Sequence, residues 1–222
     1  MNVGNRLNAV ISLLSSENEG GLFADIGSDH AFLAIEVIRR GIFASAIASD
    51  INSMPLEKGR ENAKSFGADI EFILSDGFDA FDDRRVSAAA ICGMGGELIS
   101  GIILRSKIAR SALLILQPMS AQEYLRKALW DNGFTIFKEQ FVIDQSKPYT
   151  VMKVRFTGVC EEYGVLDLYL GKERKSCTEF SSYCERQLIA AQKRRIGLVA
   201  RGLPTSSTDE LIEFCQTQVT SF

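Results

Sequence analysis

Residues 134–156 read FTIFKEQFVIDQSKPYTVMKVRF, and they settle how the chain closes. Two β-prone runs, 134–143 and 149–156, are separated only by Asp144-Gln145-Ser146-Lys147-Pro148. Five residues cannot hold a crossover helix, so the two runs must pair antiparallel as a hairpin. Everything before residue 131 has another rhythm. Apolar runs at 22–26, 45–51, 70–74, 87–92 and 112–116 alternate with helical patterns at 31–40, 55–66, 97–105 and 121–131. Continuous apolar strands interleaved with amphipathic helices predict a parallel sheet covered on both faces. Pro55 falls near a helix start, where its missing N–H costs nothing, and Gly41, Gly67 and Gly133 each stand just past a helix. The expected class is α/β: a Rossmann-like sheet of parallel strands with a terminal antiparallel hairpin. Dinucleotide-binding folds close on a parallel strand instead.

Beyond residue 158 the pattern turns helical, with long stretches at 179–199 and 209–219 separated by Gly202-Leu203-Pro204. We expect a sheet domain over 1–157 and a helical region over 158–222, packed as a helical pair against the first part or projecting from it. Composition agrees with an ordinary globular chain of 222 residues, 46% hydrophobic and 24% charged. No apolar run reaches the roughly eighteen residues of a membrane span. The first twenty residues are too polar and acidic to suggest a signal peptide. Five scattered cysteines suit a reduced, cytoplasmic setting, and with His30 the single histidine a structural zinc site is not expected. The net charge of −3 gives no global attraction to nucleic acid. Local charge can still supply it, and Lys193-Arg194-Arg195 is the densest basic stretch of the C-terminal region.

Four motifs stand at predicted strand ends. ADIGSDH, residues 24–30, turns from strand to helix through Gly27 alone, without the G-x-G-x-x-G that lets a pyrophosphate approach the backbone. Asp29 there would repel a diphosphate. Asp25 or Asp29 would instead hold an ammonium group, although Asp29 equally fits a helix N-cap. Asp50, in IASDIN, stands where a carboxylate accepts hydrogen bonds from both ribose hydroxyls, a feature shared by all nucleoside sites of this architecture. In LSDGFDAF, Asp76 would accept from an adenine amino group and the N–H of Gly77 or Phe78 would face the ring. The glycine-rich stretch AAICGMGGELI reads as small-residue turns flanking Met94 at the fourth strand end, open enough for a substrate base.

A parallel sheet closed by a hairpin is the arrangement used by class I methyltransferases. The ordered set ADIGSDHAFLAI, IASDINSMPLEKGRENA, ILSDGFDAF, ICGMGGELI and LLILQPMSAQEYLRKAL, followed by the Tyr149 hairpin, resembles the bacterial TrmK family. The resemblance runs from about Arg6 to Phe156. It implies an S-adenosylmethionine-dependent methyltransferase acting on N1 of the adenine at tRNA position 22, with a coiled-coil-like C-terminal part. On the strand-end motifs and the resemblance together, Asp25, Gly27, Ser28, Asp29, Asp50, Ile51, Asp76, Gly77, Cys92 and Gly93 are expected at the cofactor; the family motifs themselves match Gly27 to His30, Asp50, Asp76, Gly77 and Gly93 to Gly96. Met94, Gly95, Gly96, Gln117 and Pro118 are expected at the substrate, and Lys193, Arg194 and Arg195 on tRNA phosphates. Asp29 and His30 are the candidates nearest the reacting centre. The chain departs from the family at Met54-Pro55, where Gly-Pro is usual, and at Met119, where an asparagine commonly follows Gln-Pro. Two rival functions use the same residues: an NAD-dependent oxidoreductase, which the missing glycine fingerprint opposes, and a non-catalytic RNA-binding scaffold.

Overall fold

The computed structural model describes residues 3–15 and 21–220, so the acidic stretch 16–20 of the N-terminal segment lies outside the described residues. Seven strands form one sheet: β1 (Leu22–Ile26), β2 (Ser45–Asp50), β3 (Glu71–Leu74), β4 (Ala88–Gly95), β5 (Leu113–Ser120), β6 (Phe134–Asp144) and β7 (Lys147–Phe156). Their spatial order is β3-β2-β1-β4-β5-β7-β6. The first five run parallel, and β7 enters antiparallel between β5 and β6. The order reverses between β1 and β4, so a crevice opens outside their carboxyl ends, where open α/β sheets bind ligands.

Alternation along β1 sorts the two faces of the sheet. Phe23 packs into a cluster with Val10, Leu14, Leu33 and Ile35, contributed by α1 (Gly4–Ser15) and α2 (Phe32–Arg39). Ala24 and Ile26 pack on the other face with Ile99 and Ile103 of α4 (Gly96–Arg105) and Leu125 and Leu129 of α6 (Gln122–Asp131). Helix α3 (Ser53–Phe66) covers β2 and β3, and the single turn α5 (Ile108–Ser111) leads into β5.

The hairpin closes more tightly than the sequence suggests. Asp144 and Lys147 still pair, leaving Gln145 (φ 48°) and Ser146 (φ 62°) as the whole connection. Positive φ at both central residues matches the twist of the flanking strands. Neither residue is glycine, so the turn carries strain of roughly 1–2 kcal/mol per residue, offset by pairing along ten register positions. Asn5 of α1 ties into this tip, its N–H donating to Asp144 Oδ1 at 3.0 Å and its Nδ2 to the Ile143 carbonyl at 2.9 Å.

Helices α7 (Val165–Leu170), α8 (Thr178–Ala200) and α9 (Ser206–Thr220) form a third cluster around Leu170, Phe180, Tyr183 and Leu211, with Phe141 of β6 packed against it. Burying side chains of this size contributes about 1.5–3 kcal/mol each, enough to seat the helical region on the hairpin. A buried ion pair adds direction: Arg126 of α6 is bonded to Glu139 of β6, which also accepts the Thr150 hydroxyl. Arg126 further reaches the Leu168 carbonyl and, at 3.5 Å, the Tyr183 hydroxyl.

Candidate active site

Gly27 ends β1 at φ 70°. The dihedral favours glycine, and a Cβ built there would lie 2.0 Å from Met94 Cε, so Met94 keeps its present position only over a glycine. The Gly27 and Ser28 N–H groups both donate to the Ser49 carbonyl of β2, at 2.8 and 2.9 Å. They are therefore spent within the protein and form no phosphate cradle. Immediately after them, Asp29 (φ 32°) and Ala31 (φ 58°) both occupy the left-handed region. Ala31, not Asp29, is the N-cap of α2, and no side chain caps it. The capping alternative for Asp29 is thereby corrected. Strained dihedrals on non-glycine residues concentrate where surrounding structure fixes them for a purpose.

Above this bend lies a cavity of about 580 Å³, lined among others by Arg6, Asp25, Ser28, His30, Asp50 and Cys92. A smaller one of about 100 Å³ lies alongside, walled by Ile51, Asp76, Gly77, Leu98 and Ile102. Gly27, Asp50 and Met94 line both, so Met94 is the partition between a polar chamber and a largely apolar one.

Asp25 is buried, and that burial pushes its pKa up to about 6. The Ser28 hydroxyl, donating to it at 2.7 Å, opposes the rise, while the charge of Asp50 adds to it. Asp50 uses Oδ1 to accept the Asn52 N–H at 2.8 Å and takes no protein hydrogen bond on Oδ2 among the described residues. Burial, then the charge of Asp25, raises the Cys92 thiol well above its ordinary value, so it stays protonated and unreactive. Asp29 is exposed and His30 half-buried, their side chains 3.5 Å apart. Asn62 of α3 fixes the His30 backbone by donating to its carbonyl at 3.0 Å.

Several expected residues have other duties. Asp76 lines the apolar chamber, but its carboxylate is paired with Arg105 of α4, which also holds the Asp76 carbonyl at 3.0 Å and Asp79 at 3.2 Å. Gln117 and Pro118, expected at the substrate rim, are buried and line neither chamber. Gln117 Oε1 accepts the Gly93 N–H at 3.2 Å and its Nε2 donates to the Pro118 carbonyl at 3.1 Å, so this amide ties β4 to β5. The glycine-rich stretch is not a pair of turns. Residues 92–95 continue β4 beside β5 with two register shifts, and these bulges aim Met94 at the cavity. Gly96 then begins α4 with its Cα against Ala121, whose carbonyl oxygen would lie 2.2 Å from any Cβ. Lys193, Arg194 and Arg195 lie on α8 and line neither chamber.

Sequence reasoning missed Arg6. Helix α1 brings it into the polar chamber, with Nη1 3.1 Å from Met119 Sδ and the guanidinium 5.5 Å from the Tyr149 ring centre. It has no carboxylate partner among the described residues, which leaves a half-buried cation facing a cavity. Nothing in the spacing of residues 3–15 indicates that α1 folds back over the crevice.

Three carboxylates at successive strand ends, a lone-glycine bend with spent N–H groups and a parallel sheet closed by a hairpin form one arrangement. A family model described as a methyltransferase domain matches residues 3–152. The chain belongs to the methyltransferase domain family. It is 29% identical over 137 residues to the Bacillus subtilis tRNA (adenine(22)-N(1))-methyltransferase, and that match covers 60% of this chain and 58% of that one. The chain thus spans a little over half the length of that curated relative. Among solved structures, this methyltransferase superimposes on the Streptococcus pneumoniae protein Sp1610 in complex with S-adenosyl-L-methionine, with TM-score 0.81 and 26% identity, over 96% of this chain and 98% of that one. It also superimposes on M. capricolum TrmK in complex with S-adenosyl-homocysteine, with TM-score 0.79 over 97% and 96% of the two chains. At 22% identity the latter match speaks for the fold alone.

Proposed function

We propose that this methyltransferase transfers a methyl group from S-adenosylmethionine to N1 of an adenine in tRNA, with position 22 as the target. One observation carries the cofactor assignment: Asp25, Asp50 and Arg6, which has no carboxylate partner among the described residues, all line the polar chamber, beside a small apolar chamber. A zwitterionic amino-acid tail needs a carboxylate for its ammonium and a cation for its carboxylate. A ribose needs a bidentate acceptor, supplied by Asp50, and a purine needs an apolar slot, supplied by Ile51, Leu98 and Ile102. A dinucleotide diphosphate finds the Gly27 and Ser28 N–H groups already spent and the carboxylates of Asp25, Asp29 and Asp50 lining the same chamber.

S-adenosylmethionine supplies an electrophilic methyl group. The protein need build no nucleophile, because adenine N1 carries a lone pair, so its contribution is placement of that nitrogen in line with the methyl–sulfur bond. Met94 and Gly93, projecting from β4, are assigned to the wall against which the base rests. Asp29 and His30 stand at the mouth, where a carboxylate stabilises the positive charge that methylation creates on the ring. His30 beside it is assigned to orient that carboxylate. The target base must leave its stack to reach the site, a cost of a few kcal/mol that a fitted pocket repays. We assign residues 1–157 to this chemistry and 158–222 to holding the tRNA, a substrate that places the reaction in the cytoplasm.

Incubating the purified protein with undermethylated tRNA and methyl-labelled S-adenosylmethionine tests the assignment. Label should appear at N1 of a single adenine. Label on no RNA, or calorimetric binding of NAD with none of S-adenosylmethionine, would overturn it.

A further inference from the structure

The pairing of β5 with β7 stops at Leu116↔Met152, and the strands continue past that point to Ser120 and back to Lys147 without ladder bonds between them. Arg186 of α8 occupies the gap. Its Nη1 donates to the Pro148 carbonyl of β7 at 3.1 Å and its Nη2 to the Met119 carbonyl of β5 at 3.2 Å. A planar guanidinium bridges two acceptors with a rigid, pre-organised fork, which the compact ammonium of a lysine does not supply. What it grips leads straight to the pocket. Met119 Sδ receives the Arg6 guanidinium at 3.1 Å and lies 3.6 Å from Gln117 Nε2, while Gln117 Oε1 holds the Gly93 N–H at 3.2 Å. Arg6 and Gly93 both line the polar chamber.

We propose that Arg186 is a positioning residue for methyl transfer: from the C-terminal helical region it clamps the Met119 end of β5 and so sets Arg6 and Gly93 at the pocket. This rests on the function proposed above and extends it, because the helical region then shapes the reaction centre as well as holding RNA. Arg186 is anchored for the task. Tyr183 and Gln187, three residues before it and one after on α8, are buried, and Tyr183 meets the Arg126–Glu139 pair that joins α6 to β6. The clamp therefore stands on a rigid base and not on a mobile arm.

Arg186→Met keeps the stem and removes the fork, and Arg186→Lys keeps the charge but replaces the rigid fork with a compact ammonium on a flexible stem. Arg186→Met should lower kcat about tenfold while the KM values for tRNA and S-adenosylmethionine stay within about twofold, the pattern of a lost positioning contact. Arg186→Lys should fall between it and the wild type. An unchanged kcat in folded Arg186→Met overturns the clamp, and so does a tRNA KM that rises in step with lost activity, which would make Arg186 a phosphate contact. Amide exchange needs no tRNA: segment 117–121 should exchange about tenfold faster in Arg186→Met than in wild type, and equal rates overturn the proposal. If the wild type methylates no tRNA, the parent function fails while the exchange measurement still decides the clamp. Should Arg186→Met not fold, the same comparisons are made on Arg186→Lys, where wild-type kcat and exchange together overturn the proposal.

Discussion

At Asp25 the site and the stability of the protein meet. Its native pKa, about 6, lies above the unfolded value near 3.8, so the native state binds this proton more tightly than the unfolded chain does. The associated stability is therefore full below the unfolded value and falls as pH rises through the interval up to about 6. Two pKa units correspond to about 3 kcal/mol. Asp25→Asn should remove that slope and raise the urea midpoint near pH 7. Binding should show the opposite pH sense, since a cationic ligand group prefers the carboxylate: calorimetric affinity for S-adenosylmethionine should climb between pH 5 and 7 in wild type and be weak and flat in Asp25→Asn. Affinity independent of pH in the wild type would detach Asp25 from the ligand. Gly27 allows a sharper separation of effects. Alanine there meets the terminal methyl of a flexible methionine, which can swing away, so folding should lose only the left-handed penalty of about 1–2 kcal/mol. Met94 lines both chambers, so a displaced Met94 should intrude on the ligand space and cofactor affinity should drop by about a hundredfold. Asp50→Ala should likewise weaken binding with little change in melting temperature.

Among the elements, the hairpin was legible because two strong β-prone runs with no helix between them admit one arrangement, and the parallel strands because a short apolar run alternates with each helical pattern. The end of β4 was not legible. CGMGG has the composition of a turn, yet pairing with β5 holds it in the sheet, and only that partner strand explains why Met94 projects into the crevice. The carboxylates at β1, β2 and β3 could be placed from strand ends alone. Arg6, Arg105 and Arg186 could not, because each reaches its position through packing of a helix far away in sequence. The Arg126–Glu139 pair shows the same gap at the level of energy. Burial alone would lower the Arg126 pKa, but the adjacent Glu139 carboxylate outweighs it and the net shift is upward. Removing one partner leaves the other charged and dry, so Glu139→Gln should destabilise by roughly 3–5 kcal/mol. Replacing both by apolar residues of similar size should cost much less. Chemical denaturation of the two single variants and the double variant separates the outcomes, and a double loss equal to the sum of the single losses would show that the pair is not coupled.

For the molecule as a whole, the net charge of −3 means that the proposed tRNA substrate would have to be drawn to a local surface, and α8 carries the candidate triplet. The structure distinguishes its three members. Arg195 Nε donates to Asp209 Oδ1 at 2.6 Å, Arg194 lies with its guanidinium 4.3 Å from the Tyr169 ring centre, and Lys193 is exposed. Lys193 alone is thus ready to displace counterions from a phosphate without first surrendering a protein contact. Lys193→Ala should weaken tRNA binding and reduce the slope of log affinity against log salt by about 0.7–0.9, the value of one phosphate contact. Asp209→Asn should act in the reverse direction. It keeps a side-chain oxygen for the Thr205 hydroxyl, which Asp209 accepts at 2.7 Å, but it releases Arg195 from its counter-charge. An exposed pair of this kind is worth no more than about 1 kcal/mol, so stability should barely change while tRNA affinity rises about threefold and its salt dependence steepens. If Asp209→Asn leaves both affinity and salt slope untouched while Lys193→Ala does the same, the RNA passes over some other face, and α8 serves the reaction through Arg186 alone.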